Sequence, residues 1–386
     1  VSGPSVTIEA EFGGKGSFVD LTARTRSFTI SRGRTDYTQP FRAGIANLVM
    51  SNLDGELDPD NAGGTYFGEI LVGRLIKITS NSSSMLYARQ VYEGVISDYE
   101  LSYEIAGDAI VTITCVDRLA DLAQQEIPDA TAVSAESTGD RVDFILNLPE
   151  VDYQGTTNIS TGQSTCAAGT ASGNALAYLE QIVTTEQGAL YVTRTGVLRF
   201  LDRYELLNAA TLTFSDDGSD TNYESIERLV TQLELYNSLA ANRAGQIDVV
   251  RDNATNQSIY GVRFLDLGEV LFDTDAEVTD MLDFALVRFT STSPRIAEVT
   301  TLLDSKSQIA VSQLVQLDLA DSVTVEFTPP GVSQIVVPCS IESIAHAYTV
   351  GQGWRLSFGF TPRDTSSYFV LDDAVLGKLD ENALAF

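Results

Sequence analysis

The chain has 386 residues, of which 44% are apolar and 20% charged, and its 29 Gly and 10 Pro are too few for a collagen-like or low-complexity polymer, so it folds as a globular protein. Twenty-four Lys plus Arg against 53 Asp plus Glu leave a formal net charge of −29. Such a surface repels phosphates and anionic lipid heads, which argues against specific nucleic-acid binding and membrane-surface binding. Association has to run through apolar patches or basic partners, because self-repulsion opposes contact between like surfaces.

At roughly 100 to 200 residues per domain, the length predicts about two to four compact units. Cys115, Cys166 and Cys339 are odd in number and widely spaced, which fits neither a disulfide framework nor a zinc knuckle and predicts buried, reduced thiols. The N-terminus shows no basic segment followed by an apolar one, and no apolar run reaches roughly 18 residues, so neither a secretory leader nor a membrane segment is expected, and a reducing compartment is.

From Ser5 to about Val116, period-2 runs separated by Gly, Asn, Asp and Ser predict antiparallel strands: Val6, Ile8, Ala10 and Phe12 alternate, then Phe28–Ile30, Ile45–Met50, Leu75–Ile78, Val91–Ile96 and Ala109–Cys115 follow. A barrel or sandwich is the natural closure. Helical stretches are expected at Arg118–Gln125 and Asp140–Leu146, then a polar, exposed loop over Gly155–Ser172. Asn174 opens a helix with Leu176, Leu179, Ile182 and Val183 on one face, and Gly188 is expected to supply its left-handed stop. A hairpin follows, with Ala189–Val192 and Val197–Leu201 flanking a turn at Gly196.

A second β-rich block carries Leu212–Phe214, Ser225–Tyr236 and Gln246–Arg251. Asp275 is the expected cap of a core helix whose buried stripe is Val278, Met281, Leu282, Ala285 and Phe289, with Pro294 beyond its end. Strands return at Ala297–Leu302, Ser322–Phe327, Ser333–Val337, Ser340–Tyr348 and Trp354–Phe360, and Thr361–Phe386 is expected to be an acidic docking tail. The fold class is mainly β with an α+β insert. The predicted divisions are a β-barrel unit at 1–118, a small α+β unit at 119–208, a second β-rich unit with a core helix at 209–317, and a β unit with docking tail at 318–386.

The residue census argues against enzyme chemistry. His346 is the single histidine, so His-pair zinc sites and the helical H-E-x-x-H pattern are impossible, and its surroundings read as an alternating strand with no G-x-S-x-G elbow anywhere. Gly13-Gly14-Lys15-Gly16 lacks the spacing and following helix of a phosphate loop and reads as a hairpin turn. Two acid clusters, Asp54–Asp60 and Asp216–Asp220, are candidates for a cation, but neither has the ligand alternation or distal Glu of an EF-hand, and Asx with Gly is also what turns require. No catalytic residue, cofactor or metal site is assigned.

One stretch is specific: Ser27-Phe28-Thr29-Ile30-Ser31-Arg32-Gly33-Arg34-Thr35-Asp36, then Phe41-Arg42-Ala43-Gly44, then Asn52-Leu53-Asp54-Gly55-Glu56-Leu57-Asp58-Pro59. It resembles the opening domain of the minor tail and tail-tip baseplate-hub proteins of long-tailed, siphophage-type phages. There a strand ending in an Arg-Gly-Arg turn leads to a polar loop, a strand and an Asn-x-Asp-Gly-x-x-Asp-Pro turn. The closing Leu371-Asp372-Asp373 and Gly377-Lys378-Leu379-Asp380 are similar to the end of the same family.

From the residues themselves, two readings of Arg32 and Arg34 stand side by side: pairing with acids across a strand or subunit boundary through the guanidinium fork, or a solvated turn of little energetic weight. Asn52, Asp54, Gly55, Asp58 and Pro59 are expected to build a rigid turn.

The resemblance implies a non-enzymatic virion protein at the distal end of the tail, assembled in the host cytoplasm. It implies a homotrimer whose two β-barrel domains per chain make a pseudo-sixfold ring. The implied partners are the distal tail protein, the tape-measure C-terminus and tip or fibre proteins. It places Arg32, Gly33, Arg34, Asp36, Phe41, Asn52, Asp54, Gly55, Asp58, Pro59, Leu371, Asp372 and Asp373 at interfaces, and an acidic lumen would let DNA pass without sticking. The rivals are a receptor- or carbohydrate-binding tail protein, a tail-borne cell-wall hydrolase and the hexameric distal tail ring.

Overall fold

The computed structural model describes residues 5–35, 37–81, 88–105, 107–207, 210–219, 221–229, 235–290 and 295–363, with the backbone of two short strands at Tyr368–Phe369 and Ala383–Leu384. Asp36, Asp220, Pro294, Leu371, Asp372 and Asp373 lie outside the described residues. Strands hold 45% of the chain against 19% in helices, so the fold is mainly β.

Alternating side chains build one sheet from both ends of the chain. Its 13 strands run in the order Ser225–Leu229, Arg295–Leu302, Gly353–Pro362, Ile335–Thr349, Thr25–Gly33, Arg42–Ser51, Ala109–Val116, Arg89–Tyr103, Leu75–Asn81, Ser5–Ala10, Val19–Asp20, with Ser322–Phe327 and Leu212–Phe214 branching from Ile335–Thr349. The two ends meet where Thr25–Gly33 pairs antiparallel with Ile335–Thr349, from Ser343 opposite Gly33 to Thr349 opposite Ser27. One apolar core serves both halves: Ile8, Phe28, Ile30, Leu48 and Ile113 belong to the same cluster as Val323, Ile344, Trp354 and Phe358. Phe28 bridges them, stacked on Tyr348 at 5.0 Å and edge-on to Trp354 at 5.5 Å.

Between the halves sit two smaller cores. In the first, helices Thr138–Leu146 and Ala175–Glu186 pack with short strands around Val142, Ile145, Leu179, Ile182 and Phe200. In the second, helix Asp275–Phe289 covers one face of a three-stranded sheet in which Ser238–Arg243 lies between Val249–Asp252 and Phe264–Val270.

Several expectations change in detail. The expected loop at Gly155–Ser172 is threaded by strands Thr156–Ile159, Thr165–Cys166 and Gly169–Asn174, and Ser164, Cys166 and Ala171 are buried, because each run finds a partner strand outside itself. Gln187, not Gly188, takes the left-handed position that ends the Ala175–Glu186 helix, at φ 56°. Gly188 is needed for a different reason: a Cβ there would overlap the carbonyl oxygen of Leu201. Thr274 rather than Asp275 caps the core helix, in a full capping box with Glu277.

Ser333–Val337 and Ser340–Tyr348 fuse into one strand, Ile335–Thr349. Pro338, which looks like a breaker, sits opposite Thr324, and its carbonyl accepts the Arg363 N–H at 2.8 Å. Strands Ser238–Arg243 and Phe264–Val270 and helices Ala254–Tyr260 and Gln308–Val315 were not expected. The last holds three β-branched residues, which lower its helix propensity, but the Ser307 side chain accepts the Ala310 N–H and caps it.

Candidate functional site

The period-2 alternation that buries Phe28 and Ile30 also turns Arg32 inward, where its side chain is 3% exposed. Its Nη2 donates to Asp318 Oδ1 at 2.6 Å and to the Val192 carbonyl at 2.7 Å, so one guanidinium ties the first strand block to the α+β hairpin and to the C-terminal half. Asp318 also accepts the Arg194 N–H at 2.8 Å and the Leu319 N–H at 2.9 Å. A buried carboxylate with this many donors is satisfied.

Beside Arg32, Asp117 accepts the Gly44 N–H at 2.6 Å and the Leu119 N–H at 3.0 Å, and burial pushes its carboxyl up to about 6. Burial pushes Asp321 up to about 6 as well, and it accepts the Asp318 N–H at 2.7 Å. Gly44 is glycine because a Cβ would crowd Arg32 Cγ and Asp117 Oδ2.

Arg34 repeats the pattern one step along. Its Nε donates to Glu342 Oε2 at 2.6 Å, with both side chains under 10% exposed, and its Nη1 donates to the Gln39 carbonyl at 3.0 Å. Its guanidinium lies over Phe41 at 4.2 Å and Tyr37 at 4.9 Å. Phe41 is itself buried against Tyr191, at 5.4 Å. Gly33, at φ 111°, lets the strand pass the Glu342 carbonyl, which a Cβ would overlap. The Arg-Gly-Arg stretch is thus a buried double latch between the two ends of the chain, and neither arginine sits in a solvated turn.

Asn52 is buried and builds the second motif: its Oδ1 accepts the Leu57 N–H at 2.8 Å and its carbonyl accepts the Gly55 N–H at 3.0 Å, with Gly55 at φ 70°. Asp54 accepts from Arg24 Nη1 at 2.6 Å, which holds its carboxyl below the usual range. Asp58 accepts the Tyr103 hydroxyl at 2.6 Å, with the same effect. Pro59 is half-buried behind it. In the other acid cluster Asp216 accepts the Thr328 N–H at 2.6 Å and Asp217 the Ser219 N–H at 2.9 Å. Among the described residues no group of three or more His, Cys, Asp or Glu is arranged to hold a metal ion.

The remaining reactive groups are muted. His346 is buried, accepts the Trp354 Nε1–H on Nδ1 at 3.2 Å, and is pushed down to about 3 by burial, with the Arg32 charge adding to the effect. All three cysteines are buried, and burial lifts the Cys166 and Cys339 thiols to about 12 and Cys115 higher. Thiols in that range carry almost no thiolate at neutral pH. Among the described residues no helix is long and apolar enough to cross a membrane.

The latch acids Asp318 and Glu342, and Asp117 beside them, escape sequence reasoning. Nothing local in Ile341-Glu342-Ser343 or Leu317-Asp318-Leu319 marks them; only an inward arginine, read from the Phe28, Ile30, Arg32 alternation, signals that a buried acid must exist somewhere.

No family model and no curated protein sequence matches the chain. Solved structures do. A tail protein from Neisseria meningitidis matches over 94% of this chain and 97% of its own, with a TM-score of 0.64 at 13% identity. The 43 kDa tail protein of prophage MuSo2 from Shewanella oneidensis matches over 93% and 96%, with a TM-score of 0.61 at 13% identity. The prophage tail protein gp18 from Listeria monocytogenes matches over 93% and 95%, with a TM-score of 0.53 at 12% identity. The chain has the fold of phage tail proteins along nearly its whole length, in agreement with the resemblance carried by its motifs.

Proposed function

We propose that the chain is a non-enzymatic structural subunit of a phage tail, the hub at its distal end. It would join the tail tube and distal tail protein to tip or fibre proteins, with the tape-measure C-terminus and a channel for DNA on its axis. The observation that carries this reading is the end-to-end match to whole tail proteins, 94% of this chain against 97% of the Neisseria protein.

The geometry supports a docking role. Loop 52–74 and the hairpin whose strands end at Tyr103 and resume at Ala109 are tied by the Tyr103–Asp58 bond and by Tyr99 donating to the Leu71 carbonyl. Together they expose Leu53, Phe67, Leu71, Val72, Tyr103 and Ile105. Apolar side chains gathered on two tied loops of an acidic protein mark an interaction surface. In this reading Arg32, Gly33, Arg34 and Phe41 serve the interface indirectly, by fixing the two ends of the chain against each other, while the Asn52–Pro59 turn presents the contact. Three copies, each giving two β-rich units from the divisions 1–118, 119–208, 209–317 and 318–386, would close the ring.

Antibody fragments against the chain, applied to virions that carry it, should decorate the distal tail end. Label on the capsid or along the tube would overturn the assignment.

A further inference from the structure

A cleft of about 420 Å³ opens where the loop after the Arg-Gly-Arg strand faces helix Ala175–Glu186 and strand Phe264–Val270. The helix gives it one face, Ala177, Glu180, Gln181 and Thr184, at the three- and four-residue spacing of neighbours on a helix. Its walls are mixed, with Pro40, Val183, Leu267, Tyr37 and Phe289 giving an apolar stretch among polar side chains. A cleft of this size between separately packed cores is where ligands commonly sit.

Its charge is unbalanced. Arg34 reaches the wall but is already paired with Glu342. Among the described residues Glu269 is engaged only by the Gln181 amide, at 3.1 Å. Glu180 is half-buried, and among the described residues its carboxylate meets no cation and no hydrogen-bond donor; burial raises its pKa with nothing to offset it. A half-buried, unpaired carboxylate above an apolar wall is complementary to a long cationic side chain, whose alkyl stem covers the wall while its head meets the acid. Among the described residues strand Phe264–Val270, which brings Leu267 and Glu269, is the outer strand of its sheet and pairs on one side only, the kind of edge to which an extended peptide can add.

We propose that this cleft receives a lysine or arginine side chain carried on an extended segment of a partner protein, with the cation at Glu180 and the stem against Val183, Leu267 and Phe289. The inference deepens the assembly reading, on which it rests for a protein partner rather than a free cation. It gives that partner a chemistry: a basic residue flanked by small or apolar ones, suited to a subunit carrying −29.

The test uses the full chain and a fluorescein-labelled, end-capped heptapeptide of alternating Thr and Val with a central Lys, beside the same peptide with norleucine at the centre. Saturable anisotropy with the Lys peptide is expected, at least tenfold weaker with norleucine and at least tenfold weaker for Glu180→Gln, with a melting curve taken to check that the variant folds. Val183→Trp, which fills the cleft, should abolish binding. Equal affinity for the two peptides, no binding by the wild type, or unchanged binding by Glu180→Gln overturns the proposal. So does spermidine displacing the peptide while binding more tightly, or a dimer in sedimentation that Glu180→Gln dissolves, which would make a second copy the occupant. Failure here with label at the tail end would remove this inference alone; peptide binding with label elsewhere would remove the hub alone.

Discussion

Arg32 and Asp318 are separated by 286 positions in sequence, yet they meet at 2.6 Å inside the protein and close its two ends upon each other. Both are enclosed, so the pair is held by geometry and by further donors rather than by solvent. Such a pair contributes little against an apolar substitute but is costly to break from one side, because the survivor is left charged and dry.

Arg32→Ala is therefore expected to destabilise the chain by about 3–5 kcal/mol, and Arg32→Met with Asp318→Asn by clearly less than the two single changes summed. Urea unfolding of the wild type, Arg32→Met, Asp318→Asn and their double variant measures the coupling. Additive losses would mean that the two side chains do not depend on each other.

Gly33 and Gly14 both hold positive φ, 111° and 94°, but only Gly33 faces the Glu342 carbonyl, while Gly14 faces open space. Alanine at position 14 should cost about 1 kcal/mol for the backbone alone, and at position 33 distinctly more, because the Thr25–Gly33 strand must move off its neighbour. Equal melting temperatures for the two variants would contradict the close approach.

Acid should pull stability in two directions. Asp117 and Asp321, raised to about 6, bind protons more tightly folded than unfolded, so they favour the fold as pH falls from about 6 towards 4 and lose that contribution as pH rises through the same window. His346, lowered to about 3, behaves oppositely: its contribution is complete above 6.5 and is lost as pH falls towards 3, when the unfolded imidazole charges and the folded one does not. His346→Asn, which keeps an acceptor near Trp354 Nε1, should flatten the acid-side loss, and Asp117→Asn should remove part of the gain. Melting temperatures between pH 4 and 8 read both. A His346→Asn curve that superimposes on the wild type would contradict the buried neutral imidazole.

With all three sulfurs buried and none in a disulfide, a thiol reagent should leave Cys115, Cys166 and Cys339 unlabelled in the native protein and label all three in urea. Mass spectrometry counts the adducts. Rapid labelling of one cysteine in the native state would place that thiol at the surface.

What the sequence displayed was local periodicity. Phe28 with Ile30, the stripe from Val278 to Phe289, the Asn174 cap and the Gly196 turn each follow from neighbours within one turn or one hairpin, and each is found where its pattern puts it. What stayed hidden depends on partners far along the chain. Ser238–Arg243 has no β-branched residue and becomes a strand because two others flank it. Gln187 takes the left-handed position, while Gly188 is required by the Leu201 carbonyl, which comes close only once the hairpin has folded back. The Arg-Gly-Arg motif was visible as a motif, but Glu342 and Asp318, which give it its work, lie about 300 residues away in sequence.

The central claim, that this chain is built to assemble into a ring at the end of a tail, is tested most directly by two-dimensional class averages of the purified protein or of isolated tail tips. Threefold rotational symmetry is the predicted result, with sixfold averages pointing to the neighbouring distal ring instead. A well-behaved monomer that also fails to form any ring with tail proteins would contradict the account.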